Sequence, residues 1–430
     1  MSHEHCSRGS GDAAAPFARP LGRRQLLQLG AAGTAGIVLS TAIDTPALAA
    51  KGKKRAYVLV LDGMIPSEID SGLMPNLKAL RDGGTHFPRA RALPILETLP
   101  NHVMMMTGVR PNRNGVPANV IYDRKEKVHR DLDRPEDLRY PTLIERMNRR
   151  GFSTGTVLSK EYLYGIFGDR ATHRWEPAPI IPVSGHAPDV FTGDALRSMI
   201  TEHDPNLVFV SFGDCDRMGH VDLTGPVSLK VLRQTALVQL DQQVGMFIDQ
   251  LKSTGRWENS LVLGIADHSM DWSRPDRVIS LTPPLSADPF LAGKFEVSQN
   301  GGADLLYWTG PRGQRDEALK RMRRIARNVP GVLAVRRPGV LRLGARAGDL
   351  VVFCKAGWRF SDPEVHSNPI PGNHGHPATR PIPFFISGGH PVVRRRTRSV
   401  RATTVDVAPT VGAFFGLGTP RGGYDGTSRL

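Results

Sequence analysis

Apolar positions along the chain fall into short continuous runs, separated by stretches in which they recur every three or four residues. The runs Tyr57 to Leu61, Leu207 to Phe212, Leu261 to Ala266 and Leu350 to Phe353 show little polar alternation. They read as parallel strands buried on both faces. Between them lie helical patterns such as Val227 to Leu251, where Leu229, Leu232, Ala236, Leu240, Val244, Phe247 and Leu251 line one stripe. Strands alternating with helices predict an α/β fold, a three-layer sandwich around a mostly parallel central sheet. Residues from about 275 to 370 read differently. A strand-like Ala303 to Trp308, a basic helix and two further strand-like runs predict a small α+β insertion within the main domain.

The first 49 residues stand apart. Arg23-Arg24 precede a mild, glycine-bearing apolar run from Leu26 to Ser40, and Ala47-Leu48-Ala49 supplies a small-x-small cleavage site. That is the layout of an export signal, and the paired arginines resemble the twin-arginine type, which carries proteins out already folded. The run is short of the ~20 apolar residues that span a bilayer, so no stable membrane span is expected after cleavage. Residues 50–430 then form the folded domain, exported to the periplasm, the envelope or the outside. A chain folded in a reducing cytosol has little chance to form disulfides first, so Cys215 and Cys354 are expected to be small buried residues.

The chain carries a net charge of +15, which favours anionic partners. In ALKRMRRIARNV, however, Leu319, Met322, Ile325 and Val329 recur at helical spacing, which puts the arginines on the solvated face. No aromatic residues interleave with the basic clusters, so specific nucleic-acid binding is not expected.

Chemistry enters where the strands end. YVLVL runs into Asp62, LVFVSF into GDCDRMGH with Asp216 and His220, and LVLGIA into Asp267-His268. In parallel α/β sheets the carboxyl ends of the strands converge on the ligand crevice. A further His374 sits in the glycine-rich PGNHGHP. Clustered carboxylates repel one another unless cations intervene, and Asp with His suits divalent ions such as Zn²⁺. Three Asp and three His are enough for two such ions, which would clamp the attacking and leaving oxygens of a displacement at phosphorus. Thr98, in LETLPNHVMMMTG, then has a role. Pro100 marks a helix start whose positive end faces the loop, and a metal-bound hydroxyl there becomes a nucleophile.

Taken together, LVLDG, TLPNHVMMMTG, NVIYD, GDCDRMGH, ADHSM, GNHGH and VDVAPTVGAFFGL resemble the alkaline phosphatase superfamily. The closest resemblance is to its type I phosphodiesterase/nucleotide pyrophosphatase branch. The resemblance implies one metal on Asp216, His220 and His374, and another on Asp62, Asp267, His268 and the Thr98 oxygen. It makes Thr98 the nucleophile and Asn119 the amide that binds a nonbridging phosphate oxygen. His102 is read as support for the loop, and His376, Asp214 and Asp222 as loop residues or partners of the ligands.

The implied activity is metal-dependent hydrolysis of phosphodiester or pyrophosphate bonds in a small anionic substrate. Sulfatase chemistry is excluded, because the frame at Thr98 is T-x-P-x-H and formylglycine needs Cys or Ser. A phosphomonoesterase, a carbon–phosphorus hydrolase and a non-catalytic binding protein stay open. Threonine-type monoesterases add a Lys-x-Arg pair around the third phosphoryl oxygen, and related carbon–phosphorus hydrolases a Lys-x-Lys pair. In LSKEYLYG, Lys160 is present as a substrate-binding candidate, and Tyr162 stands where the second cation would be.

Overall fold

The computed structural model describes residues 52–178, 186–221, 230–361 and 371–430. The export-signal reading of residues 1–49, the first residues of the helix expected from Val227, and Asp222 lie outside them. The main sheet has eight strands: β1 (Arg55–Leu61), β2 (Thr85–His86), β3 (Thr154–Leu158), β4 (His173–Trp175), β5 (Leu207–Phe212), β6 (Ser260–Ile265), β7 (Phe384–Ser387) and β8 (Arg396–Thr397). Their order is β8-β2-β7-β6-β1-β5-β3-β4. All neighbours pair in parallel except at β7, which runs against both β6 and β2.

Every residue of β1, β5 and β6 is buried, because helices cover both faces of the sheet. Tyr57 and Val208 are register partners, as are Val58 and Phe209, so Tyr57 and Phe209 point to opposite faces. On one face Tyr57 packs edge-on against Phe247 of the helix Val231–Ser253. On the other, Phe209 meets His102 of the helix α1 (Thr98–Thr107) and also Phe167. Sheet and helices together make the expected sandwich.

The insertion is a four-stranded antiparallel sheet, ordered Phe295–Asn300, Ala303–Trp308, Leu350–Cys354, Val332–Arg336, with the helix α2 (Arg315–Asn328) beside it. One expectation needs correcting here. Leu350 to Phe353 is antiparallel to both neighbours and belongs to this sheet. The reason is visible in the packing. Val351 and Phe353 join the core of the main sheet, while Leu350, Val352 and Cys354 join a second core with Met322 and Trp308. A strand covered on both faces reads as a continuous apolar run whichever way its neighbours run.

Candidate active site

The four adjacent strands β6, β1, β5 and β3 end side by side, and each delivers a charged group just past its last residue. These are Asp267 and His268, Asp62, Asp216, and Lys160, all buried. The turn after β1 is tight. Gly63 has φ +72°, and a Cβ there would lie 3.0 Å from the Asp216 Cα, so only glycine lets the two strand ends approach. Its amide donates to Asp267 Oδ1 at 3.2 Å, fixing that carboxylate.

α1 brings Thr98 to this edge. The helix is buried along its whole length and closes at Gly108, in the left-handed conformation, whose amide donates to the Met104 carbonyl. Thr98 Oγ1 lies 3.2 Å from His268 Nε2, and burial raises the pKa of the Tyr162 phenol. Asn119 Oδ1 accepts the Leu99 amide at 2.9 Å, which ties the asparagine to the first turn of α1 and leaves its NH₂ free to turn elsewhere.

Among the described residues, two groups of side chains offer donor atoms within 4.8 Å of one another: Asp62, Asp267 and His268, and Asp216, His268 and His374. The first is the protein part of one set that the resemblance implies. In the second, His268 takes the place given to His220, whose Nε2 nevertheless lies 3.3 Å from Asp216 Oδ1. The loop carrying His374 reaches this edge through Gly372, where a Cβ would lie 2.2 Å from the Gly219 carbonyl.

The donor set fits divalent ions on three counts. The buried Asp62 Oδ1 and Asp267 Oδ2 accept no hydrogen bond among the described residues. Each of the three imidazoles is anchored through Nδ1 to a backbone carbonyl: His220 to Gly372 at 2.7 Å, His268 to Ser269 at 3.1 Å, and His374 to Leu96 at 3.2 Å. That anchoring puts the proton on Nδ1 and leaves Nε2 with a lone pair, as metal-ligating histidines require. Charge gives the third count. Three buried carboxylates, Asp62, Asp216 and Asp267, share this edge with Lys160, and burial, then Asp267, pushes the Asp62 carboxyl well above the usual range.

Lys160 is committed to this edge. Its Nζ lies 2.7 Å from Asp62 Oδ2 and 2.7 Å from Asp216 Oδ2, one carboxylate from each group. Burial opposes ionisation of Asp216, but Lys160 and then His220 outweigh it and hold that carboxyl well below its ordinary value.

His102 works differently from the other imidazoles. It has a partner on each nitrogen, the Thr98 carbonyl at 2.8 Å and Ser211 Oγ at 2.9 Å, and burial lowers its pKa to about 4. It braces α1 against β5 as a neutral ring. His376 Nε2 is 2.9 Å from Asp271 Oδ2. Cys215 and Cys354 are buried and unpaired.

Glu97 is the residue that sequence reading missed. It stands directly before α1 without capping it through its side chain, is buried, and accepts the Asn119 backbone N–H at 3.0 Å; burial raises its pKa to about 8. An acidic residue directly before a helix start was the available signal, but its burial was not legible.

A family model described as type I phosphodiesterase / nucleotide pyrophosphatase matches residues 56–377. The chain belongs to this family. Ectonucleotide pyrophosphatase/phosphodiesterase family member 3 of Mus musculus is 26% identical over 226 residues, which is 49% of this chain and 24% of that protein. The chain thus spans about a quarter of the length of such relatives. The bis(5'-adenosyl)-triphosphatase enpp4 of Xenopus laevis is 21% identical over 378 residues, 86% of this chain and 79% of that protein. Among solved structures, murine ectonucleotide pyrophosphatase/phosphodiesterase 5 superposes with TM-score 0.71 at 18% identity, covering 87% of this chain and 98% of that one. Phosphonoacetate hydrolase from Sinorhizobium meliloti gives 0.65 at 19%, covering 84% and 95%. Those two likenesses bear out the alkaline phosphatase-like fold of this family member.

Proposed function

We propose that this family member hydrolyses phosphodiester or pyrophosphate bonds, with Thr98 as nucleophile and two divalent ions, most simply Zn²⁺, in the donor set. The observation that carries the reading is Thr98 Oγ1, 3.2 Å from His268 Nε2 at the edge where both groups of donor atoms meet. Asp62, Asp267 and His268 with Thr98 would hold one ion, and Asp216, His220 and His374 the other. Bound divalent ions supply positive charge to the attacking and leaving oxygens of an in-line displacement. The protein's own part is to hold Thr98 Oγ1 at the helix start, aim it at phosphorus, and present the Asn119 amide to a nonbridging oxygen. The Thr98 Oγ1–phosphorus bond forms as the bond to the leaving oxygen breaks, and the alcohol or phosphate departs with a proton; water then cleaves the threonine phosphoester, releasing the phosphomonoester and restoring the hydroxyl. The structural relative in complex with AMP is an inactive threonine-to-alanine variant, which supports giving Thr98 this role.

Lys160 bears on substrate charge. An ammonium has three N–H donors; that of Lys160 donates to Asp216 Oδ2 and pairs ionically with Asp62 Oδ2. The neighbouring position is the neutral Tyr162. A dianionic monoester therefore meets one partly committed cation at its third oxygen, whereas a diester carries a substituent there and needs none. The likeness to a phosphonoacetate hydrolase favours a second reading, carbon–phosphorus cleavage, in which Lys160 contacts a dianionic head. The deciding experiment compares rates on aryl phosphate mono- and diesters with the purified, zinc-loaded protein. Diesters faster than monoesters are expected; monoesters faster by tenfold or more overturn the assignment.

Export belongs to the same reading. Arg23→Lys with Arg24→Lys should retain the precursor in the cytoplasm, and unchanged export would point to the general secretory route.

A further inference from the structure

We propose that the insertion carries a docking face for an anionic lipid bilayer, formed by the carboxyl-terminal half of α2, the edge strand Val332–Arg336 and the residues after it. The inference is independent of the proposed chemistry. Along α2, Ala318, Leu319, Met322 and Ala326 are buried in the second core, so the opposite face is left to Lys320, Arg324 and Arg327. The amino-terminal half of the helix is neutralised: Arg315 pairs with Asp349, and Arg321 with Glu317 and Asp288. The carboxyl-terminal half is not. Among the described residues, Arg323, Arg324, Arg327, Arg336 and Arg337 make no ion pair with an acidic side chain. α2 packs against the edge strand Val332–Arg336, and burial, then the charges of Arg327, Arg337 and Arg336, lower the pKa of Arg323. Among the described residues, such a cluster lacks a paired counter-charge.

A second feature selects the kind of partner. Leu333 is 50% exposed on the same edge strand, and Val340, three residues after Arg337, is 76% exposed. Exposed aliphatic side chains so close along the chain to the exposed Arg336 and Arg337 suit neither a phosphate backbone nor a free anion. They suit an interface with anionic headgroups outside and acyl chains beneath. No helix among the described residues is long and apolar enough to cross a membrane, so the contact would be peripheral.

The test is co-sedimentation of the mature protein with vesicles of phosphatidylglycerol and phosphatidylcholine, against pure phosphatidylcholine. Binding to the anionic vesicles alone is expected, weakening as salt rises. R323E/R327E/R336E should lower it at least tenfold, and Leu333→Ser with Val340→Ser should lower it at physiological salt while aryl-ester hydrolysis is retained. Equal binding to both vesicle types overturns the proposal, as does undiminished binding by the arginine variant. Tighter binding to duplex DNA than to vesicles, with the aliphatic variant unaffected, also overturns it by making the face a general polyanion site.

Discussion

The main sheet and the insertion sheet are built from the same material and end differently. Both contain strands that are buried along their whole length, because both faces are covered. In the main sheet, four parallel neighbours place their carboxyl ends on one edge, and each is followed by an acid, a histidine or a lysine. In the insertion the strands alternate in direction, so their ends are divided between two edges. Charged groups accumulate where strand direction is shared. The lesson is that parallel pairing, more than burial or composition, concentrates the chemistry in this chain.

The sharpest way to break that contrast is Thr98→Ala. Turnover should fall by roughly 10⁴–10⁶-fold, as for other covalent nucleophiles, with the fold and metal content retained. Steady-state kinetics with elemental analysis checks this, and wild-type-like rates would leave Thr98 as a helix-start residue only. Next, exhaustive chelation should abolish hydrolysis, with recovery on adding Zn²⁺. Asp62→Asn should lower bound metal measured by elemental analysis, and full activity in metal-free protein would sink the two-ion reading.

Glu97→Ala should cost about tenfold or more in kcat by releasing Asn119, a loss comparable to one hydrogen bond of about 1.5 kcal/mol. Glu97→Gln, which keeps an acceptor for the Asn119 amide, should restore most of it; equal losses in both variants would deny Glu97 its positioning role. Lys160→Ala should lower monoester turnover more than diester turnover. The smallest effect on chemistry is expected from the insertion. Leu306→Ala should destabilise the fold by about 2–5 kcal/mol, seen in denaturant melts, while the rate per folded molecule stays the same.

Much of this contrast was legible before any coordinates. Strands β1, β5 and β6 announce themselves as apolar runs, and the acids and histidines that follow them are visible in the chain because topology alone decides where strand ends go. Two things were not. The direction of Leu350–Cys354 was hidden, because burial on both faces looks the same in either sheet. Nor was the commitment of Lys160 to two carboxylates readable, since it depends on β3 lying next to β5, which local sequence does not encode. Glu97 was missed for a related reason. Its partner Asn119 is 22 residues away and meets it only through the path of the intervening loop.

The order of the strands has one more consequence. Asp267, Asp62 and Asp216 follow three consecutive strands, β6, β1 and β5, so the spacing of the strand ends they leave from is not left to loops. The backbone ladder sets it, at ~4.8 Å from one strand to the next. Paired catalytic cations stand ~3.5–4 Å apart. The sheet therefore acts as a ruler whose smallest division is close to the separation that two-cation chemistry needs. Its graduations are main-chain hydrogen bonds, which side-chain substitution leaves in place.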